Sequence, residues 1–124
     1  MASLESLPAD QRAVLQLVLQ RHHSYDDIAG LLRIDPAAVR DRAHTAVDAL
    51  GPQTGVPDEQ RILISDYLLG QLSPGQSEEA RGRLAESASE RAWARVVASQ
   101  LAPLASGPLP EIPVEGSAAA PVKG

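Results

Sequence analysis

The chain has 124 residues with no cysteine and no phenylalanine, and its formal net charge at pH 7 is −5. This composition excludes a disulfide framework and a zinc site built from thiolates. The core must come from leucine, valine, isoleucine and alanine, and alternating β-branched runs are scarce, so the sequence predicts an all-α protein. No apolar run approaches the ~18 residues that span a bilayer. No signal-peptide pattern opens the chain either, and we therefore expect a cytoplasmic protein.

The first predicted helix covers about residues 8–21. Its apolar residues recur at helical spacing and form one face: Val14, Leu15, Val18 and Leu19. An apolar stripe of this kind is typical of a helix that packs on a core.

Two further helices are predicted over residues 24–32 and 36–50, joined by a tight turn. Ser24 with Asp27 three residues later is a capping-box pattern. Asp35 before Pro36 gives an acidic N-cap and a proline at the first helical position. Two short helices joined this tightly predict a helix-turn-helix, a motif of DNA-binding proteins. The core expected under the three helices consists of Val14, Val18, Ile28, Leu32, Val39, Ala43 and Leu50.

The first 50 residues resemble region 4 of the sigma-70 family of bacterial RNA polymerase sigma factors, most closely the extracytoplasmic-function type. The elements that carry the resemblance occur in order and at matching spacing: Leu7-Pro8, Arg12, Ser24-Tyr25, Ile28-Ala29, Leu32-x-Ile34, Val39 and Arg42-x-His44. The resemblance implies transcription regulation, with DNA and RNA polymerase or a sigma factor as partners.

In that family the first turns of the third helix read promoter bases, and this role is transferred here by position. The residues so implied to contact bases or phosphates are Arg33, Ala37, Ala38, Arg40, Asp41, Arg42, His44 and Thr45. Arg40 could grip guanine through two hydrogen bonds. The sequence departs from the family at Arg33, where glycine is usual, and at Thr45, where arginine or lysine is usual. The alternative interpretation is that Arg40 and Arg42 are solvated charges paired with neighbouring aspartates, Asp41 or Asp35.

The charge of the first half opposes DNA binding. Residues 1–51 hold five arginines against seven aspartates and glutamates, which gives a net charge of five minus seven, or −2. Duplex binding draws much of its affinity from neutralised phosphates. The competing hypothesis is a protein-interaction module, anti-sigma-like or dimerising, that does not bind DNA. Such a module could also be the cytoplasmic part of a longer, membrane-anchored protein.

Three more helices are predicted over residues 58–102. The first runs over about 58–69, and its expected buried stripe is Ile62, Leu63, Tyr67 and Leu68. The second begins at Ser73-Pro74, where Gln76 completes a capping box, and it turns Ala80 and Leu84 inward. The third begins near Ser87, with Glu90 three residues later, and ends before Pro103. It runs through Trp93, Val96, Val97 and Leu101.

This second half has a resemblance of its own. The segment SDYLLGQLSPGQSEEARGRLAESASERAWARVV is similar to small anti-sigma domains that carry an H-L-x-x-C-x-x-C zinc motif. Alignment on Leu84 puts Arg83 at the histidine, and Ser87 and Glu90 at the two cysteines. These three residues do not make such a zinc site, so the resemblance implies a zinc-less version without a metal or another cofactor.

The predicted organisation is therefore a helix-turn-helix domain (1–51), a linker (52–57), an anti-sigma-like helical domain (58–102) and a disordered Pro/Ala-rich tail (103–124). The tail is rich in proline, alanine and glycine and lacks apolar periodicity. The sequence holds no phosphate-binding glycine loop, no nucleophile paired with a base and no carboxylate dyad. We therefore expect no enzymatic activity and no small-molecule substrate.

Overall fold

The computed structural model describes residues 2–113, and this part of the chain is helical with no strand. Six helices follow one another: α1 (Ala9–Arg21), α2 (Tyr25–Leu32), α3 (Pro36–Leu50), α4 (Asp58–Leu68), α5 (Pro74–Glu86) and α6 (Ala88–Leu101). Short 3-10 turns cover Leu4–Ser6 and Ala102–Leu104. The predicted all-α fold with two successive three-helix segments is confirmed. Within residues 2–113, every helix is too short or too polar to cross a membrane.

Local capping explains where the helices begin. The Ser24 hydroxyl accepts a hydrogen bond from the Asp27 amide, and the Asp27 carboxylate accepts one from the Ser24 amide, which confirms the predicted capping box. Ser73 and Gln76 make the same reciprocal pair at the start of α5. At α6 only half of this pair forms. The Ser87 hydroxyl accepts a hydrogen bond from the Glu90 amide, but the Glu90 side chain accepts none from the Ser87 amide.

One continuous cluster of buried apolar side chains runs through all six helices. Six of the seven residues predicted for the first core are buried in it: Val14, Val18, Ile28, Val39, Ala43 and Leu50. The prediction for Leu32 is wrong, since this residue is 38 % exposed. α2 ends at Leu32, and the turn that follows brings Ile34 against the core in its place.

The predicted stripe of α4 also needs a correction. Ile62 is 42 % exposed, whereas Ile64 is 1 % exposed and belongs to the core. The buried residues Ile64, Tyr67 and Leu68 stand at positions i, i+3 and i+4, the spacing of one helix face. Ile62 lies two residues before that stripe, and two residues rotate about 200° around a helix, so it faces away from the core.

α3 is the element that joins the two halves of the chain. It packs on α1 and α2 on one side and on α4 and α6 on the other. Just after its last residue, Gly51 is buried against Trp93 of α6. The helix-turn-helix therefore shares its core with the second half.

The sequence places the start of a disordered tail at residue 103, and the structure corrects this for residues 103–113. The amide and hydroxyl of Ser106 donate to the Leu19 carbonyl at the end of α1. The Tyr67 hydroxyl donates to the Glu111 carbonyl, and Leu109 and Ile112 pack against the core. The apolar residues of this segment are too sparse to show a helical period. They are nevertheless enough to cover part of the core that would otherwise contact solvent. The rest of the predicted tail, residues 114–124, lies outside the described residues.

Candidate nucleic-acid interface

The turn between α2 and α3 depends on a left-handed residue that is not glycine. Arg33 has φ 59° and ψ 47°, and its side chain is exposed. Its amide and that of Ile34 both donate to the Ala29 carbonyl and close the end of α2. A left-handed backbone costs a non-glycine residue roughly 1–2 kcal/mol. The helix-turn-helix thus keeps its tight turn at that cost, with an exposed arginine three residues before α3 begins.

The first turns of α3 present the residues that the sequence predicts for base contact. Ala37, Arg40 and Asp41 are exposed, Thr45 is exposed one turn further on, and Ala38 is half-buried. Among residues 2–113, Arg40 forms no ion pair within 4.0 Å. The structure therefore places five of the predicted residues on or beside one accessible surface.

Arg42 lies at the side of this surface and is paired with α1. Its Nε lies 3.4 Å from Oδ2 of Asp10, and its side chain is 35 % exposed. The sequence names Asp41 or Asp35 as its alternative partners, and this expectation is wrong. Since Asp10 is 32 residues earlier in the chain, only the packing of α1 on α3 brings the two together.

His44 lies between α3 and α4, where its side chain is only 15 % exposed. Its Nε2 donates to Oδ1 of Asp66 at 2.7 Å, and the Tyr25 hydroxyl donates to the same oxygen at 2.6 Å. The rings of Tyr25 and His44 meet edge to face at 6.1 Å. The position implied near phosphates is thus held by a carboxylate from the second half.

The electrostatics of this cluster follow from burial. Burial is the main cause that raises the pKa of the Tyr25 hydroxyl far above its usual range, and the negative charge of Asp66 raises this pKa further. The positive charge of Arg40 acts in the opposite direction and lowers it. Tyr25 is therefore a fixed hydrogen-bond donor at neutral pH, which suits a carboxylate acceptor. Sequence analysis missed Asp66 because it lies 41 residues from Tyr25, and no local pattern marks the pair.

Residues 1–50 match the family model for sigma-70, region 4. The matched residues contain α1, α2 and α3, and we call residues 1–50 the region 4 half. Among curated proteins and among solved structures, nothing matches the chain. The match supports the predicted helix-turn-helix and a general role in transcription through DNA or RNA polymerase. It ends where α3 ends, so the second half has to be interpreted from its own contacts.

A groove separates the second half of the α3 surface from α4. Its walls include Thr45 and Asp48 of the region 4 half and Ile62 of α4. Arg61 of α4 pairs with Asp48 across the groove and with Asp58 on its own helix. The groove therefore offers little free positive charge to a phosphate.

The three positions that stand in for zinc ligands contact one another in another way. Arg83 Nη2 lies 3.7 Å from Oε2 of Glu90, and the Ser87 hydroxyl accepts from the Glu90 amide. Next to them, the buried Arg91 donates to the Leu84 and Ala85 carbonyls at the end of α5. Ion pairing and capping thus hold α5 to α6. In the described residues no three His, Cys, Asp or Glu side chains come together as a metal site would require.

Proposed function

We propose that this chain is a bacterial transcription regulator of the extracytoplasmic-function sigma type. Its region 4 half binds promoter DNA, RNA polymerase or both, and its second half modulates that binding. The observation that carries this proposal is the accessible start of the third helix. Arg33 is exposed in the turn of the helix-turn-helix, and Arg40 is exposed on α3. In such motifs these positions approach base edges and the adjoining backbone.

The second half supports the regulatory part of the proposal because it is built into the region 4 half. α4 contributes Asp66 to Tyr25 and His44, and α6 contributes Trp93 to the end of α3. Any movement of α4 therefore changes the surroundings of α2 and α3. We further propose that this half is anti-sigma-like, with the Arg83–Glu90 pair and the Ser87 cap in place of a zinc site.

The charge balance sets the expected strength of DNA binding. Around the turn, Arg33 and Arg40 are exposed beside the exposed carboxylates of Asp35 and Asp41. Few phosphates can then be neutralised, so the affinity for duplex DNA should be modest and should fall steeply with salt only if both arginines take part. RNA polymerase is the partner that would supply the remaining affinity.

The test uses the full chain, since the two halves share a core. Fluorescence anisotropy with labelled duplexes, measured between about 50 and 200 mM salt, gives the affinity and the number of phosphates neutralised. A parallel measurement uses purified RNA polymerase core enzyme. Binding to either partner that weakens on Arg40→Ala supports the proposal. Lack of binding to both partners would remove it.

A second candidate function is protein binding alone, and the exposed leucines at the end of α2 favour it. Leu31 is 58 % exposed and Leu32 is 38 % exposed, next to the turn. Adjacent exposed apolar side chains are a feature of protein-interaction surfaces. Leu31→Lys would abolish binding to a protein partner in this case, and no duplex would shift at any salt concentration.

A further inference from the structure

The end of α4 sets two polar side chains on the helix-turn-helix. One carboxylate oxygen of Asp66 accepts hydrogen bonds from Tyr25 of α2 at 2.6 Å and from His44 of α3 at 2.7 Å. Five residues later, Oε1 of Gln71 accepts a bond from the Tyr25 amide at 3.0 Å. The Gln71 Nε2 donates to the His23 carbonyl at 3.2 Å. Both side chains therefore contact Tyr25, the first residue of α2. Asp66 holds its hydroxyl, and Gln71 holds its amide.

The chain geometry at the end of α4 fixes these two side chains relative to one another. Gly70 adopts φ +71°, a left-handed conformation that suits glycine. The Gln71 amide donates to the Asp66 carbonyl at 2.9 Å, and the Gly70 amide donates to the Tyr67 carbonyl at 3.1 Å. This pair of bonds is a Schellman ending, which turns the chain back beside its own last turn. Asp66 and Gln71 thus form one unit, joined by a backbone hydrogen bond.

Asp66 and Gln71 bond to a part of the helix-turn-helix that can contact DNA, the start of its first helix. The first helix of such a motif crosses the phosphate backbone, and amides at a helix start are common phosphate donors. Here the first amide of α2, that of Tyr25, is already bonded to Gln71. Asp66 adds a negative charge at the Tyr25 hydroxyl, and Asp26 and Asp27 lie exposed in the first turn of α2. An approaching phosphate would meet a filled donor and repelling carboxylates.

We propose that Asp66 and Gln71 form an autoinhibitory latch, so that duplex DNA and the latch compete for the start of α2. This inference rests on the proposed DNA binding of the region 4 half. Release of the latch frees the Tyr25 amide and moves one carboxylate away from the phosphates. Bound DNA should in turn open the latch, because two contacts that compete for one site weaken each other by the same factor.

The experiment compares the parent chain with Gln71→Ala and Asp66→Asn. The matched controls are Gln16→Ala, an exposed glutamine on α1, and Glu59→Gln, which removes one exposed negative charge from α4. The first readout is amide hydrogen exchange at Tyr25 by NMR, which needs no ligand. The second is anisotropy with a labelled random-sequence duplex of about three helical turns at about 50 mM salt.

The latch predicts a defined pattern of results. Gln71→Ala should raise exchange at the Tyr25 amide, and each latch variant should bind the duplex roughly three- to tenfold more tightly than the parent, while both controls stay at the parent value. Saturating duplex should shift the side-chain amide resonances of Gln71 in the parent chain, because a phosphate that takes the Tyr25 amide displaces Gln71 from it. If Tyr25 exchange rises in Gln71→Ala but duplex affinity does not, the latch is overturned and DNA binding stands. If no protein in the set binds the duplex, the proposed DNA binding is overturned, and inhibition by the latch falls with it.

Discussion

Gly51 and Trp93 lie so close that any larger residue at position 51 would overlap the indole. A Cβ atom added to Gly51 would fall 2.4 Å from Nε1 and 2.8 Å from Cε2 of Trp93. The glycine follows the last residue of α3, and the tryptophan is a buried residue of α6. This contact joins the region 4 half to the second half and makes their stabilities interdependent.

Gly51→Ala should therefore destabilise the whole chain. A methyl group forced against a buried indole displaces it or the backbone, which costs about 1–3 kcal/mol in the free energy of unfolding. Urea unfolding followed by the fluorescence of Trp93, the one tryptophan in the sequence, measures the change. The matched control is Gly55→Ala, because a Cβ atom there meets nothing within 4 Å. Equal stability of the two variants would contradict the close packing.

A second prediction uses two isoleucines that differ in burial. Ile28 is 0 % exposed and Ile62 is 42 % exposed. Ile28→Asp would bury an unpaired charge in the shared core and should unfold the protein, a loss above about 4 kcal/mol. Ile62→Asp should change the free energy of unfolding by less than about 1 kcal/mol, since its side chain faces the groove. Thermal melts followed by circular dichroism compare them, and a cooperative melt of Ile28→Asp near the parent temperature would refute the core assignment.

The same pair shows how far sequence reasoning reaches. Helix bounds and the Ser24–Asp27 cap depend on residues within one turn, so they could be predicted almost to the residue. Burial of Ile62 depends on which neighbour covers it. The buried position is Ile64, two residues later, and this offset makes the predicted burial of Ile62 wrong. The stripe of α4 could be recognised only after α3 and α6 were placed around it.

The candidate site divides in the same way. The exposed face at the start of α3 follows from helical periodicity, and the structure places Arg40 on it as expected. The contacts of Tyr25 with Asp66 and of Arg42 with Asp10 depend on packing between distant segments. The prediction of disorder for residues 103–113 is wrong for a related reason, since a proline-rich chain can be ordered by bonds to a helix end, such as those from Ser106 to the Leu19 carbonyl.

A third prediction concerns the positions that align with a zinc motif. Because Arg83, Ser87 and Glu90 form an ion pair and a cap, helicity should not change when a chelator is added to purified protein. Arg91→Leu should instead destabilise the chain by about 1.5–3 kcal/mol, because the Leu84 and Ala85 carbonyls lose a charged donor. The control is Arg81→Leu, a half-buried arginine on α5. Stoichiometric zinc in the purified protein, or a chelator-induced loss of helicity, would refute this account.

The last prediction separates two arginines of α3 that lie two residues apart. Arg40 is exposed near the start of α3, whereas Arg42 is 35 % exposed and paired with Asp10. If the region 4 half reads DNA, Arg40→Ala should lose discrimination at one base pair, on the order of 1–3 kcal/mol. Arg42→Ala should weaken binding to all sequences alike and should reduce the salt slope by about one. Anisotropy with a preferred duplex and a single-base variant, repeated over a salt series, measures both effects.

The charge of the same surface supplies the control for this comparison. Asp41 is exposed one position after Arg40, so Asp41→Lys should add weak binding to every duplex through phosphate attraction, without a gain in discrimination. If Asp41→Lys creates such binding while the parent shows none even at low salt, the acidic balance outweighs the helix-turn-helix geometry. DNA is then not the natural partner, and the surface at the turn, with Leu31 at its edge, is left to a protein.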